Sequence, residues 1–325
     1  MSTLGLGNAL VDILLKLDNE HTLTEIGIAK GAMDMIDEKQ MIVIQRTLSH
    51  LERRQTPGGS VCNSMRALAK LGAHAGFIGK VGNDATGSYY EQALRIAGVT
   101  PYFTKVEGVS GCCTVLISPD GERTMATFLG PAPSLKPEDI REDIIARYNS
   151  IYIEGYLLVN EPLVRDTMKK AKRAGVKIAL DLSNFNIVNA FKDMLDDIIP
   201  AYVDILFSNE SEAKAFTGLE SGDAIRKMAQ MVDIAIVTCG KEGAVVAHRD
   251  ETIRVIAEGG KPLDTTGAGD HFAAGFLYGL SVGASLEQSA RIGSMLAGHV
   301  INVIGPQITD DQWKQIKLNV GSILS

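Results

Sequence analysis

The residues best suited to chemistry lie in a seven-residue segment, Asp264-Thr-Thr-Gly-Ala-Gly-Asp270, which leads directly into a helical pattern from His271. Gly267 and Gly269 carry no side chain that would keep an anion away from the backbone. At a helix start, the unpaired N–H groups and the positive end of the dipole attract negative charge. The segment therefore indicates a phosphate site with a carboxylate, Asp270, in position to act as a base.

A simpler interpretation of this segment is a helix start at which Asp270 only interacts favourably with the dipole. The segment also contains a Gly-Ala-Gly sequence and a second carboxylate, Asp264, which a simple helix start does not need. Their presence together favours a functional site.

A second glycine-containing segment, Pro57-Gly-Gly-Ser-Val-Cys-Asn63, precedes a helical pattern that runs to about Leu71 and stops at Gly72. Gly58 and Gly59 allow a ligand close to the backbone, and the amide of Asn63, one turn into the helix, could reach it. An ordinary loop with Ser60 as the N-cap explains the spacing equally well.

Asn209 and Glu212 form an N-x-x-E pattern in a segment that follows a predicted strand and opens a helix. In α/β proteins, ligands bind at the edge of the sheet where the parallel strands end. Mg²⁺ prefers oxygen ligands and retains much of its water. The pattern predicts residues that organise Mg²⁺ and its waters. An Asn cap followed by acidic residues that the dipole favours is the alternative.

Thr238, Gly240 and Gly243 form T-x-G-x-x-G between two apolar runs. This tight connection could contact nucleotide phosphates, although a plain glycine turn accounts for it equally well. The N-terminal Gly5-Leu-Gly7 lacks the third glycine of a dinucleotide fingerprint, and the chain has no G-x-x-x-x-G-K-[ST] motif.

The elements that must position these residues alternate short apolar runs with amphipathic helical patterns, which is typical of a mostly parallel α/β sheet covered on both faces. The predicted strands are 177–181, 205–208 and 234–238, and the predicted helices are 161–174, 188–201 and 223–231. Residues 102–104, 112–118 and 123–128 have no helix between them, and Ser118-Pro-Asp-Gly121 predicts a hairpin between the last two. With a hairpin-like element at 10–17 and 29–35, they would form a small sheet over the site.

Composition excludes several classes of protein. Of 325 residues, 45% are hydrophobic and 22% charged, and the net charge is −7, so a globular protein is expected. The four cysteines match no metal spacing and are expected to be free thiols. The acidic pI of about 5.5 argues against a nucleic-acid partner. The sequence shows neither a signal peptide nor an apolar run of about 18 residues, which predicts a cytoplasmic protein without membrane contact.

Taken together and in order, these motifs resemble the PfkB family of carbohydrate and nucleoside kinases, also called ribokinase-like. The segment from Gly58 to Gly72, with Phe77-Ile-Gly-Lys-Val-Gly82-Asn-Asp84, is similar to its N-terminal signature, and Asp264 to Asp270 to its C-terminal one. The resemblance implies a single domain, 1–325, with a three-layer α/β/α fold, a mostly parallel sheet and a small β-sheet lid from about 10–35 and 101–129. It also implies transfer of the ATP γ-phosphoryl group to a primary hydroxyl, assisted by Mg²⁺.

The resemblance further implies a role for each matching residue. Asp270 would be the base, and the Gly267, Ala268 and Gly269 amides the anion hole. Asp12 would hold sugar hydroxyls, with Arg123 on the lid hairpin contacting phosphate. The remaining expected roles are acceptor binding by Asn8, Gly58, Gly59 and Asn63, nucleotide binding by Asn209, Thr238, Gly240, Gly243 and Thr266, Mg²⁺ binding through water by Glu212, and, as in some members, a K⁺-like ion at Asp264.

Within the family, Gly7-Asn8-x-x-x-Asp12 and the Asn209 region most resemble the adenosine kinase branch, which implies a nucleoside acceptor. Residues 31–36 offer no clear aromatic or amide group for a purine, and His271 stands where the family usually has a small residue. A sugar kinase of the ribokinase, fructokinase or 2-keto-3-deoxygluconate kinase type is the alternative, and an inactive nucleoside- or sugar-binding regulator is the alternative of another class. Either a monomer or a homodimer is expected.

Overall fold

The computed structural model describes residues 2–325, which form one large and one small β-sheet. The large sheet has nine strands in the order β14-β13-β12-β11-β10-β9-β1-β5-β6, parallel from β6 to β12 and antiparallel beyond. Its strands are β1 (Ser2–Leu6), β5 (His74–Gly82), β6 (Val99–Val106), β9 (Ser150–Ile153), β10 (Lys177–Asp181), β11 (Ile205–Asn209), β12 (Ile234–Thr238), β13 (Ala244–His248) and β14 (Glu251–Val255).

Five further strands make the small sheet, in the order β3-β8-β7-β2-β4. They are β2 (Leu10–Lys16), β3 (Met33–Met35), β4 (Arg53–Gly58), β7 (Gly111–Ile117) and β8 (Arg123–Phe128). The pairing of Asp12 with Thr56 and of Leu10 with Gly58 brings the end of β4 next to Asp12.

Helices cover both faces of the large sheet and also pack against β8 of the small sheet. They are α1 (His21–Glu25), α2 (Glu38–Thr47), α3 (Ser60–Leu71), α4 (Ala85–Ile96), α5 (Glu142–Ile145), α6 (Glu161–Arg173), α7 (Phe185–Ala190), α8 (Lys192–Tyr202), α9 (Glu210–Thr217), α10 (Ser221–Ala229), α11 (Ala268–Ser281), α12 (Leu286–Val300) and α13 (Asp310–Leu324). Among residues 2–325, no helix is both long and apolar enough to cross a bilayer.

Alternation along the strands divides the apolar residues into two cores. Ile151 and Ile153 of β9 belong to one hydrophobic cluster, whereas Tyr152 between them belongs to the other. Because neighbouring strand residues point to opposite faces, the two clusters lie on opposite faces of the sheet. Val11 of the small sheet is part of the same cluster as Tyr152, so the small sheet packs onto the main body through a shared core.

Several predicted elements are confirmed. Strands 177–181 and 234–238 have the predicted bounds, and β7 and β8 pair as the antiparallel hairpin predicted around Ser118 to Gly121. The single helix predicted at 188–201 is wrong, because the chain leaves helical geometry at Phe191, where φ is −118° and ψ is 26°, and so forms two helices.

Two predictions about the small sheet are wrong. Residues 102–104 lie in β6 of the large sheet, where Tyr102 pairs with Ile78 of β5, because α4 forms a crossover between these parallel strands. Segments 10–17 and 29–35 form no hairpin, since β7 and β8 lie between β2 and β3. The neighbours of β2 are β7 and β4.

Candidate active site

Polar residues line the edge of the large sheet at which its parallel strands end. Asn8 follows β1, Glu154 follows β9, Asp181 ends β10 and Asn209 ends β11. Since the carboxyl ends of parallel strands share one edge, the sheet gathers these side chains although up to about 200 residues separate them in sequence. Thr238, at the end of β12, completes the row.

The helix α11 starts at this edge with Gly267 as its N-cap. Gly267 has φ +77°, and a Cβ atom there would lie 2.7 Å from Pro306 Cβ, so only glycine fits without displacement. A Cβ atom on Gly269 would meet nothing within 4 Å, so the space beside this residue is open to a ligand. Ala268 N–H donates to the Thr265 carbonyl at 3.2 Å, so it is partly engaged.

The Asp270 carboxylate lies in the first turn of α11 and contacts α3. Ser60 Oγ donates to one carboxylate oxygen at 2.7 Å, and Asn63 Nδ2 donates to the other at 2.9 Å. Ser64 Oγ donates to the Asp270 carbonyl at 2.8 Å, which fixes the two helix starts relative to each other. Burial raises the pKa of Asp270 to about 7, against the opposing effect of the Ser60 and Asn63 hydrogen bonds.

His271, the residue after Asp270, is 2% exposed. Its Nδ1 lies 2.9 Å from the Gly267 carbonyl oxygen, where a protonated Nδ1 donates to it. Burial lowers the pKa of His271 to about 4, so the imidazole is neutral at physiological pH. The residue that departs from the family pattern thus contacts the N-cap of α11.

Of the expected acceptor residues, Gly58 lies against Asp12 of the small sheet and Gly59 against Asn8, whereas Asn63 contacts Asp270. A Cβ atom on Gly58 would lie 2.1 Å from Asp12 Oδ1, and one on Gly59, where φ is +92°, would lie 2.5 Å from the Asn8 carbonyl oxygen. Both glycines are therefore required by close approach. Burial raises the pKa of Asp12 to about 7, although the Arg66 and Arg123 charges lower it.

Asn8 is held by a carboxylate that the sequence did not single out. Its Nδ2 donates to Glu154 Oε1 at 2.7 Å, and Glu154 is 2% exposed. Burial raises the pKa of Glu154 to about 7. Glu154 therefore orients Asn8 at the floor of the site.

Asn209 and Glu212 form a complete capping box. Glu212 N–H donates to Asn209 Oδ1 at 2.9 Å, while Asn209 N–H donates to Glu212 Oε2 at 2.8 Å. The helix cap that the alternative interpretation predicted is therefore present. A ligand role is compatible with it, because Glu212 also lines a cavity of about 210 Å³ with Asp181 and Asp270.

The charges around this cavity suit a divalent cation. Burial, with the charge of Asp181 second, raises the pKa of Glu212 to about 7, and burial raises the pKa of Asp181 to about 6. A cation between the two carboxylates would relieve both effects. No cluster of three or more metal-ligating side chains occurs among residues 2–325, so phosphate oxygens and water would complete the shell of Mg²⁺.

A second cavity of about 320 Å³ adjoins the first and shares Thr238 and Gly269 with it. Gly240 and Gly243 also line it. Gly243 has φ +94°, and a Cβ atom there would lie 1.9 Å from the Val255 carbonyl oxygen, so the turn itself needs this glycine. The structure therefore brings the T-x-G-x-x-G turn together with the start of α11.

Arg123, Asp264 and Thr266 meet where the small sheet contacts the loop before α11. Arg123 Nη1 donates to Thr266 Oγ1 at 2.8 Å, and its Nη2 forms an ion pair with Asp264 Oδ2 at 2.7 Å. Asp264 also accepts from Thr266 N–H at 3.0 Å and from Gly305 N–H at 2.6 Å. Because protein donors contact both carboxylate oxygens, Asp264 does not fit the K⁺-like site expected there.

Sequence reasoning missed Glu154, Asp181 and Tyr156, and treated Ser60 only as a cap. Tyr156 lines the same cavity as Asp270 and Ser60. Glu154 and Asp181 could have been found by the strand-end rule that identified Asn209, since both follow apolar runs.

Comparisons with known proteins agree with this arrangement. The sequence pattern described as "pfkB family carbohydrate kinase" matches residues 26–313. An adenosine kinase from Schizophyllum commune is 27% identical, with 96% of this chain and 97% of the relative covered. The adenosine kinase structure from Sinorhizobium meliloti is 33% identical, with a TM-score of 0.87 and coverage of 98% of this chain and 99% of that chain.

A probable sugar kinase from Rhizobium etli CFN 42 is 31% identical, also with a TM-score of 0.87 and with 98% of each chain covered. These two solved structures confirm the expected ribokinase-like α/β fold, with a large, mostly parallel sheet and a small second sheet.

Proposed function

The chain belongs to the pfkB family of carbohydrate kinases, and from that membership we propose that it transfers the γ-phosphoryl group of ATP to a primary hydroxyl of a ribose-bearing nucleoside. ATP-dependent phosphorylation of a nucleoside or sugar follows from the family and its relatives. The observation that carries the assignment of the base is the Asp270 carboxylate, which Ser60 and Asn63 orient beside the open space at Gly269.

Asp270 is the proposed base, and its environment suits that task. With a pKa of about 7 it is a stronger proton acceptor than an ordinary aspartate and is still largely ionised just above neutral pH. Phosphoryl transfer passes through a loose transition state, so orientation of the hydroxyl and stabilisation of negative charge dominate. The first-turn amides of α11, those of Gly267 and Gly269 above all, would supply that stabilisation.

The cavity lined by Thr238, Gly240 and Gly243 would take the nucleotide, with its phosphates directed toward α11. Asp181 and Glu212 would hold Mg²⁺, with Asn209 fixing Glu212. When bound, the ion supplies positive charge to the β- and γ-phosphates.

On the acceptor side, Asp12 would receive hydrogen bonds from neighbouring ribose hydroxyls, since a carboxylate only accepts. The backbone at Gly58 and Gly59 leaves that carboxylate its space. Tyr156 lines the cavity of Asp270 on the side of Asp181 and Glu212, where the cation would bind, and not the side of Asp12.

We also propose that the small sheet is the lid of a single kinase domain. Val11 of that sheet and Tyr152 of the large sheet lie in one hydrophobic cluster, which supports a lid belonging to the main body. The proposed reaction uses no monovalent ion at Asp264, because protein donors contact both oxygens of this carboxylate.

A sugar kinase is the second candidate, because the probable sugar kinase from Rhizobium etli matches with the same TM-score as the adenosine kinase structure. A regulator that only binds its ligand is disfavoured by the conjunction of Asp270, Asp181 and Glu212 around one cavity.

The test is an ATP-consumption screen with Mg²⁺ across adenosine, other nucleosides, ribose, fructose and 2-keto-3-deoxygluconate. We expect phosphorylation of adenosine or a close nucleoside, and a loss of roughly three orders of magnitude in kcat for Asp270→Asn. Turnover of sugars alone would establish the second candidate. Binding of a nucleoside without turnover by the native protein would establish the regulator.

A further inference from the structure

The loop before α11 is attached to two different parts of the molecule. On one side, Gly305 N–H donates to Asp264 Oδ2 at 2.6 Å, and Pro306 packs against Gly267. On the other, Arg123 at the start of β8 reaches across from the small sheet. Arg123 therefore connects the proposed lid directly to the proposed anion hole.

The Arg123 contact is protected from solvent. Its side chain is 15% exposed and that of Asp264 is 8% exposed, so water screens the ion pair much less than a surface pair. The guanidinium contacts one charged oxygen, Asp264 Oδ2, and one neutral oxygen, Thr266 Oγ1. A single positive charge held by such oxygens is what a bound monovalent cation would provide at this loop.

We propose that Arg123 replaces a monovalent cation at the anion-hole loop, and that phosphoryl transfer by this protein does not depend on K⁺. This inference rests on the proposed function. A second cation on Asp264 would lie beside the guanidinium, and like charges at such short range repel. Arg123 is thus a positioning residue that orders the loop from Asp264 to Gly267 when the small sheet lies over the site.

The experiment compares the native chain, Arg123→Ala and Arg123→Lys in potassium chloride and in tetramethylammonium chloride of equal ionic strength. Two quantities are measured: the rate of ADP formation with Mg-ATP and the acceptor, and the melting temperature without ligands. The control is Arg54→Ala, which removes an arginine of the same sheet whose side chain is 81% exposed.

For the native protein and Arg54→Ala we expect rates that differ by less than about twofold between the two salts. In tetramethylammonium chloride, the rate of Arg123→Ala is expected to be roughly tenfold or more below that of the native protein. Added K⁺ or free guanidinium should restore part of that rate and raise the melting temperature of this variant alone. Arg123→Lys keeps the charge and should remain indifferent to K⁺, which keeps the test decisive even if Arg123→Ala folds poorly.

Strong activation of the native enzyme by K⁺ would overturn the proposal. So would an Arg123→Ala protein that neither K⁺ nor guanidinium restores or stabilises, or activation of Arg123→Lys by K⁺. If no acceptor is phosphorylated, the proposed function fails, whereas the melting temperatures still decide the role of Arg123.

Discussion

At the scale of single residues, the pKa of Asp270 reflects contributions of opposite sign. Burial raises it, the hydrogen bonds from Ser60 and Asn63 lower it, and the negative charge of Asp181 raises it. Since the proposed base must be ionised to accept a proton, activity should rise with pH through the pKa of Asp270, about 7, and level off above it. His271, with a pKa of about 4, is neutral over this range and adds no step.

Two substitutions should therefore move the acidic limb of the pH profile of kcat/KM in opposite directions. Ser60→Ala removes a hydrogen bond that favours the ionised form, so the limb should shift to higher pH. Asp181→Asn removes a like charge, so the limb should shift to lower pH even though the rate itself falls. The profiles are those of kcat/KM for Mg-ATP, which report the enzyme before the cation binds at Asp181, and shifts in the same direction for both variants would contradict the assignment of the limb to Asp270.

At the scale of elements, buried strands were easier to predict than edge strands. Lys177–Asp181 and Ile234–Thr238 lie inside the large sheet and are largely buried, so they appear in the sequence as short apolar runs. Arg53–Gly58, which the sequence did not predict, is an edge strand of the small sheet with three exposed residues and a proline. Met33–Met35 at the other edge has three exposed residues, and the segment 29–35 that contains it was predicted with the wrong partner strand. Such strands lack the apolar pattern because solvent or a turn lies on one side.

The residues of the candidate site also divide into those that the sequence predicts and those that depend on the fold. Asp270, Asp12 and Asn63 belong to motifs with a characteristic order along the chain, so sequence alone could single them out. Glu154 and Asp181 belong to no such motif; their places after apolar runs mark them as strand-end residues, and the strand order sets them side by side. The contact of Arg123 with Asp264 depends on how the two sheets pack, which no local pattern encodes.

The start of α11 offers a matched pair of glycine substitutions. Gly267→Ala places a Cβ atom in a left-handed conformation and against Pro306, so it should destabilise the fold by about 1–3 kcal/mol and lower kcat. Gly269→Ala meets open space and should keep or slightly increase stability, while its methyl group obstructs the phosphate and lowers kcat. Urea denaturation and kcat separate the two cases, and a fully stable Gly267→Ala protein would contradict the argument.

At the scale of the whole molecule, the site collects negative charge away from water. Burial raises the pKa of Asp12, Glu154, Glu212 and Asp270 to about 7 and that of Asp181 to about 6. Ionised carboxylates in this arrangement oppose folding until a cation or a donor-bearing ligand binds. The fold is therefore less stable with an ionised, ligand-free site than it would be with protonated carboxyl groups.

This charge predicts how stability depends on pH. Between the ordinary carboxyl pKa of about 4 and the folded-state values near 7, the folded protein holds protons that the unfolded chain has released. The free energy of unfolding is then highest near pH 4 and falls as pH rises through about 7. His271 and His299, whose pKa values are lowered by burial, act in the opposite direction, but these are two groups against five.

We therefore expect the urea midpoint of the ligand-free protein to decrease from about pH 5 to about pH 8. Below about pH 4, stability is lost again, because carboxylates with lowered pKa values such as Asp84 and Asp204 become protonated. The double variant Asp270→Asn with Glu154→Gln should flatten the decrease, since neither amide ionises. Mg-ATP should stabilise the native protein more at pH 8 than at pH 5, because the ionised carboxylates of Asp181 and Glu212 bind the cation; a urea midpoint that rises steadily to pH 8 in the ligand-free protein would contradict this account.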